Sequence, residues 1–291
     1  MNMAGDPLPG HRTRERLLLL AAAVLWSTSG LLMKSPPLEA IPVGERGPLI
    51  ACFRALLAGL CLVPFVNWRR ASFHRRMVPM VVAFAAMNFL FVAAMTRATA
   101  AAAIFLQYTG IGWAFLFGVL FLKEAATRAN LVALGFGLAG IAWIVGGEWH
   151  GSQFLGTLLA LGSGLAYGGV IASLRALREE NSAWLVVLNH LGSSAVLLPW
   201  VITQGLIPSG SQWAVIGVLG AFQMGLPYVL FARGMAGVPA QEAGLITLLE
   251  AILNPFWVWL FWGEQVANST WIGGGFIVAG LLVRYLVFRP V

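Results

Sequence analysis

Apolar residues along the chain gather into ten runs, separated by short clusters of polar, charged, glycine or proline positions. The runs cover roughly residues 17–35, 48–67, 77–96, 98–122, 128–147, 153–176, 182–203, 211–232, 238–262 and 269–288. A helix needs about 17–25 apolar residues to cross a bilayer, so the pattern predicts ten membrane-spanning helices. Almost nothing remains for a separate soluble domain. Composition agrees. Hydrophobic residues make up 59% of the 291 positions, charged residues only 10%, and mean hydropathy is +0.83. A soluble domain carries about 25% charged residues, and a globule of this size has no means of covering so much apolar side chain. Soluble enzymes, disordered chains and disulfide scaffolds are excluded.

The first run follows Arg12, Arg14 and Arg16 as a signal peptide would. It lacks a small-residue cleavage site and nine further runs follow, so it is read as a retained helix. The net charge of +7 would suggest nucleic acid in a soluble protein. Here the basic residues punctuate apolar runs and report topology. With the N-terminus inside, the inner segments hold fourteen Lys and Arg, among them Arg69, Arg70, Arg75, Arg76, Lys123, Arg175, Arg178, Arg233 and Arg284. The outer loops hold three, Lys34, Arg46 and Arg97. Such a bias over short loops places both termini in the cytoplasm. Cys52 and Cys61 share one run. Nine residues of helix turn by about 900° and rise about 13.5 Å, so the two thiols face apart and cannot bond.

The chain repeats itself. A shift of 140 aligns Phe121 with Phe261, Glu124 with Glu264, Gly135-Phe136 with Gly275-Phe276 and Ala139-Gly140 with Ala279-Gly280. A shift of 141 places Leu17, Leu18 and Leu20 on Leu158, Leu159 and Leu161, and Trp26 on Tyr167. Five helices per copy is an odd number, so the second copy must enter the membrane inverted. Inverted repeats mark secondary transporters, with the site near the midplane between the halves. The expected organisation is a short basic N-terminus over 1–16, one five-helix repeat over 17–147 and a second, inverted one over 148–291.

The order of several short motifs carries a resemblance. They are Leu25-Trp26-Ser27-Thr28-Ser29-Gly30 in the first run, Phe53-Arg54-Ala55 in the second and Leu106-Gln107-Tyr108-Thr109 in the fourth. Lys123-Glu124 and Gly263-Glu264 close the fourth and ninth, and Leu249-Glu250 precedes the latter pair. In this order the chain resembles the drug/metabolite transporter superfamily, in its ten-helix EamA-type branch, over essentially its whole length. A proline often follows the first of those glutamates in the family. Here Ala251 does, and Pro255 comes four residues later, which is similar to the bacterial aromatic amino-acid exporters of that branch. The resemblance implies a central cavity lined by helices one, three, four, six, eight and nine, where Tyr167 would pair with Trp26.

The residues themselves supply candidates. Glu250 falls mid-span, where a charge costs roughly 3 kcal/mol on insertion scales. It either lines a cavity and carries substrate or proton, or stays protonated against a neighbouring helix. Pro255 and Pro227 each remove a helical hydrogen bond, freeing the carbonyls of Ala251 and Gln223, and are expected to break their helices and let them gate; a simple kink is the alternative. Ser27, Asn88, Gln107, Tyr108, Gln223, Tyr228 and Asn254 lie at comparable depths, with Asn189 and His190, and read together as a polar lining. Arg54 is expected to snorkel to the outer surface, a gating or substrate role being the alternative. His190 is a proton-relay candidate, although a lone helical histidine more often packs.

Other apparent motifs fail. Gly135 to Gly140 fits G-x-G-x-x-G but lies inside a membrane run, with no preceding strand. Asn268-Ser269-Thr270 is a sequon that matters only in a eukaryotic secretory pathway. No metal spacing, P-loop or catalytic constellation is present, so no metal, cofactor or enzyme activity is expected. The resulting reading is an all-α inner-membrane transporter, functional as a monomer and surrounded by lipid, without nucleic acid. Its small-molecule substrates would be amino acids, aromatic and other neutral ones included, exported by alternating access. Trp26, Tyr108 and Tyr167 would give stacking surface, while Asn88, Gln107 and Gln223 would bind the zwitterion. The alternative is a multidrug exporter of lipophilic cations.

Overall fold

A computed structural model describes residues 9–125, 127–149 and 151–286. The basic segment 1–16 lies partly, and His150 and Arg289 wholly, outside the described residues. Among those described, the chain is all-helical, and ten helices are long and apolar enough to cross a membrane. They are Thr13–Met33, Val43–Phe65, Met77–Met95, Ala100–Leu122, Arg128–Gly147, Phe154–Ala176, Ser182–Thr203, Gly210–Gly234, Glu242–Trp262 and Asn268–Leu286, called here the first to tenth spans. Nine of them start within a few residues of the position that hydropathy gives.

The second span differs. It starts at Val43 and not near residue 48, with Pro48 inside its helix. Gly44, Glu45 and Arg46 hide that first turn from a hydropathy window, yet Arg46 is 7% exposed and far from solvated. Its guanidinium donates to the carbonyls of Ile41 (3.1 and 3.0 Å) and Glu39 (2.6 Å), closing the short helix Pro36–Glu39 onto the start of the span. The charge caps backbone acceptors that would otherwise lack partners.

The spans pair closely in a defined order. The tenth lies on the fifth, the seventh on the second, the third on the sixth, and the first on the eighth; the fourth also meets the sixth, and the ninth meets the first. Water-excluded apolar surface gives no net drive between helices in lipid, so close packing of small residues takes over. The fifth–tenth crossing shows this directly. A Cβ placed on Gly140 would sit 2.5 Å from the Gly273 carbonyl oxygen, and one on Gly273 2.6 Å from that of Gly140. Of the apparent dinucleotide motif, only this last glycine is in such contact; Gly135 and Gly137 face open space. Gly273→Leu is expected to cost about 2 kcal/mol or more through overpacking against backbone that cannot yield, seen as earlier melting in detergent. Gly275→Leu, on the open face of the same helix, is expected to melt with the native protein.

Four spans are irregular, and the causes are local. The first breaks at Thr28, the fourth at Thr109 and the ninth at Leu248. Each break has a threonine whose hydroxyl turns back on the carbonyl three residues earlier: Thr28 on Leu25, Thr109 on Leu106 and Thr247 on Gly244. Back-bonding of this kind competes with the helical ladder. In the eighth span, Leu219–Gly225 is a π-helical segment, followed by Leu226–Gly234 with Pro227 in its first turn. The two prolines therefore act differently from expectation. Pro255 sits inside an unbroken helix, Leu249–Trp262, and the ninth span opens one to two turns earlier. Pro227 widens its helix, because a residue without an N–H fits where the register changes to π.

Candidate functional site

The irregular stretches of the first, fourth, eighth and ninth spans converge on one cavity of about 420 Å³. Aromatic and apolar side chains form most of its wall, including Trp26, Phe84, Tyr167, Tyr228 and Phe231. Trp26 packs on Tyr228 and Phe231, both at 5.4 Å between ring centroids, and not on Tyr167 as its repeat position suggests. Tyr167 forms a separate part of the wall, with Gly110 and Gly164 held closely against each other's helices beside it.

Among the ionisable groups facing this space are two of opposite sign, Arg54, which is buried, and Glu250, which is partly buried. Glu250 lies in the first turn after the break at Leu248. That break leaves the Thr247 carbonyl without its helical partner, since the Ala251 N–H donates to Leu248 instead (3.1 Å). The Tyr108 hydroxyl fills the gap, 2.8 Å from the Thr247 oxygen and 3.0 Å from Glu250 Oε2. Tyr108 itself is the last residue before the break of the fourth span. The two interrupted helices thus touch through one phenol and one carboxyl group.

Arg54 is the opposite charge. It is 3% exposed and does not reach the surface, so the expectation of snorkelling is corrected. Its Nε and Nη2 both donate to Asn88 Oδ1, at 3.0 and 2.7 Å, and its guanidinium carbon lies 5.8 Å from the centre of the Phe91 ring. Hydropathy gives the depth of a residue but not its direction, and the acceptor that turns Arg54 inward belongs to another span.

The remaining candidates divide. Gln107, Gln223 and His190 line the cavity with Asn189. Gln223 donates to the Trp26 carbonyl (3.2 Å) and Gln107 to Ser163 (3.2 Å). Asn88 does not line it. Asn88 stands behind Arg54, donating to the Ala51 carbonyl (2.8 Å) and Ser193 (3.0 Å). Ser27 and Asn254 are also absent from the wall and tie the first span to the ninth. Asn254 donates to Ser29 (2.7 Å), and the Trp257 indole donates to Ser27 (3.0 Å). Pro227 and Pro255 are buried in their helices and not on the wall.

The two ends of the bundle differ. At one end, Lys34 pairs with Glu264 and donates to the Ala98 carbonyl (2.9 Å), while the other oxygen of Glu264 accepts from the Ala100 N–H (2.7 Å). These side chains are only 14% and 16% exposed. At the other end, Arg175 meets Glu124 at 3.0 Å, with 35% and 41% exposed. The cavity extends toward this second end, where Arg175, Arg284 and Tyr285 join its lining. Sequence reasoning assigns Arg175 and Arg284 to topology alone and does not single out Thr247 or Tyr285. Nothing in a basic residue at a span end distinguishes a cavity mouth from a lipid-facing loop.

Comparison with known proteins places this architecture. The model of the EamA-like transporter family matches twice, over residues 14–146 and 154–286. An uncharacterized transporter of Archaeoglobus fulgidus is 30% identical over 272 residues, which is 92% of this chain and 94% of that protein. The uncharacterized transporter YwfM of Bacillus subtilis is 26% identical, with 92% of each chain covered. A crystal structure described only as that of a protein shares the fold, with a TM-score of 0.65 at 20% identity over 96% of this chain and all of the other. With the family model matched across both halves of a ten-span helical bundle, the chain belongs to the EamA-like transporter family and is a multi-pass membrane transporter.

Proposed function

We propose that this transporter exports neutral amino acids, aromatic ones included, across the cytoplasmic membrane by alternating access of the central cavity. The observation that carries the reading is the composition of the wall. One carboxyl group, the guanidinium of Arg54 with those of Arg175 and Arg284 toward one end, and several amides and hydroxyls stand among aromatic rings in a space of about 420 Å³. A zwitterion with an apolar side chain asks for that combination, whereas a purely apolar solute would leave these polar groups unpaired at a cost.

Alternating access draws support from pairs of features about 140 residues apart. The breaks at Thr109 and Leu248 correspond, as do the left-handed helix ends at Lys123 (φ 56°) and Gly263 (φ 65°). The ion pairs correspond as well: Lys34 with Glu264 joins the first and ninth spans, and Arg175 with Glu124 joins the sixth and fourth. The helix pairings keep the same exchange, the third with the sixth answering the eighth with the first. Such correspondence is what two inverted five-helix repeats produce, and either repeat rocking on the other would open one end as it closes the other. With both termini cytoplasmic, the open end faces the cytoplasm. One chain contains both halves of the exchange, so a monomer suffices.

The second reading, export of lipophilic cations, draws on Glu250 and the aromatic wall. Competition in liposomes separates the two. Labelled phenylalanine should enter liposomes containing the purified protein, and excess threonine or methionine should slow it. Tetraphenylphosphonium should compete poorly, because Arg54 repels it. Transport of tetraphenylphosphonium with no flux of phenylalanine would reverse the order of the two readings.

A further inference from the structure

The guanidinium of Arg54 is incompletely used. It offers five N–H donors, and its hydrogen bonds go to a single neutral oxygen, Asn88 Oδ1. No carboxylate pairs with it among the described residues. Asn88 is held from behind by Ala51 and Ser193, so it positions the guanidinium without neutralising it. A charge removed from water costs several kcal/mol unless it is paired. The group lines the cavity, so an anionic ligand there would supply the missing partner.

The neighbourhood has the complementary need. Asn189 Oδ1, His190 Nε2 and Gln223 Oε1 are buried, lack a hydrogen-bond partner, and belong to residues lining the same cavity. Each of these residues is no more than 5% exposed. His190 Nδ1 faces the Val186 carbonyl at 2.8 Å and must donate to it, which makes Nε2 of the neutral ring an acceptor. Asn189 lies one helical turn from Ser193, the residue that touches Asn88. Gln223 lies one turn from Gly220, whose backbone approaches the Arg54 carbonyl. Unused donors on a cation therefore line the same cavity as three residues with unused acceptors. An ammonium group carries three donors, and a carboxylate beside it accepts from a guanidinium fork.

We propose that Arg54 anchors the carboxylate of the transported amino acid and that Asn189, His190 and Gln223 receive its ammonium group, leaving Glu250 free for a coupling proton. The inference rests on the amino-acid reading above and fixes which pole of the cavity takes the charged end. The side chain then extends over Trp26, Tyr228 and Phe231.

The test uses phenylalanine flux in liposomes, with competition by phenylalaninamide, which keeps the ammonium and lacks the carboxylate, and by hydrocinnamate, which does the reverse. Native protein should favour phenylalanine over phenylalaninamide. Arg54→Gln should raise the KM for phenylalanine by about tenfold or more, the loss of one charge-assisted contact, and should leave the inhibition by phenylalaninamide unchanged. Asn88→Asp keeps Arg54 in place but gives it an internal carboxylate, so it should weaken phenylalanine and hydrocinnamate together. That second variant decides the matter if Arg54→Gln does not elute as a folded monomer. Unchanged phenylalanine KM in Asn88→Asp, or a native preference for phenylalaninamide, overturns the anchor and leaves the amino-acid reading standing. Absence of phenylalanine flux in the native protein overturns both.

Discussion

Glu250→Gln is expected to abolish proton-driven accumulation of phenylalanine and flatten its pH dependence, while leaving exchange of internal for external substrate. The reason lies in one phenol. Tyr108 has a single hydroxyl proton and faces two acceptors, the Thr247 carbonyl and Glu250. With Glu250 ionised, the phenol must divide its proton between them. With Glu250 protonated, the carboxyl O–H donates to the phenol oxygen and the phenol donates to Thr247, so every group is satisfied. Proton arrival thus fixes a hydrogen bond at the broken turn of the ninth span. Glutamine donates permanently through its amide, holding the protonated arrangement at all pH values. A hydrogen bond to a charged group contributes about 1.5–3 kcal/mol, so accumulation should fall about tenfold or more. Measurement of uptake against a gradient between pH 6 and pH 8, for the native protein and the variant, checks this. A Glu250→Gln protein that still accumulates substrate with a native pH profile would remove the carboxyl group from coupling.

Glu264→Gln should shift the transporter toward opening at the end that is closed here. Lys34, Glu264 and the Ala100 N–H form one nearly buried cluster joining the first, fourth and ninth spans. Removing one partner of a buried pair costs about 3–5 kcal/mol, because the other charge is left uncompensated. The matching pair at the open end, Arg175 with Glu124, is solvated, and an exposed pair contributes only about 0–1 kcal/mol. Ser29 offers a reporter: it is 1% exposed and lines the cavity just below the closed end. In a background with Cys52 and Cys61 replaced, Ser29→Cys should react with a membrane-impermeant thiol reagent about tenfold faster or more when Glu264→Gln is added. Glu124→Gln should change the rate little. Equal responses to both changes would mean that the buried cluster does not hold the closed end.

Most of the fold is legible in the sequence because a bilayer imposes one strong requirement, length of apolar helix, and ten runs satisfy it. Where the reading departs, a polar group is solving a local problem. Arg46 caps carbonyls at the start of the second span and so conceals its first turn. The breaks coincide with the back-bonded threonines Thr28, Thr109 and Thr247, residues ordinary in membrane helices, whereas Pro255 draws attention and interrupts nothing. The site is half legible for a related reason. Glu250, Tyr108, Gln107 and Gln223 are conspicuous by depth, and depth is what hydropathy measures. Direction is set by partners on other spans. Asn88 turns Arg54 into the cavity, and Ser29 draws Asn254 out of the wall into a tie between helices.

On the proposed function, a single cavity carries neutral amino acids by exposing itself to each side in turn. Counterflow tests it most directly. Liposomes containing only the purified protein are loaded with unlabelled phenylalanine and diluted into a trace of the labelled form. Label should accumulate transiently above its equilibrium value, because each outward-moving molecule returns the empty site for a labelled one. Label that merely equilibrates, at the rate seen in liposomes without protein, would mean that the cavity does not carry phenylalanine.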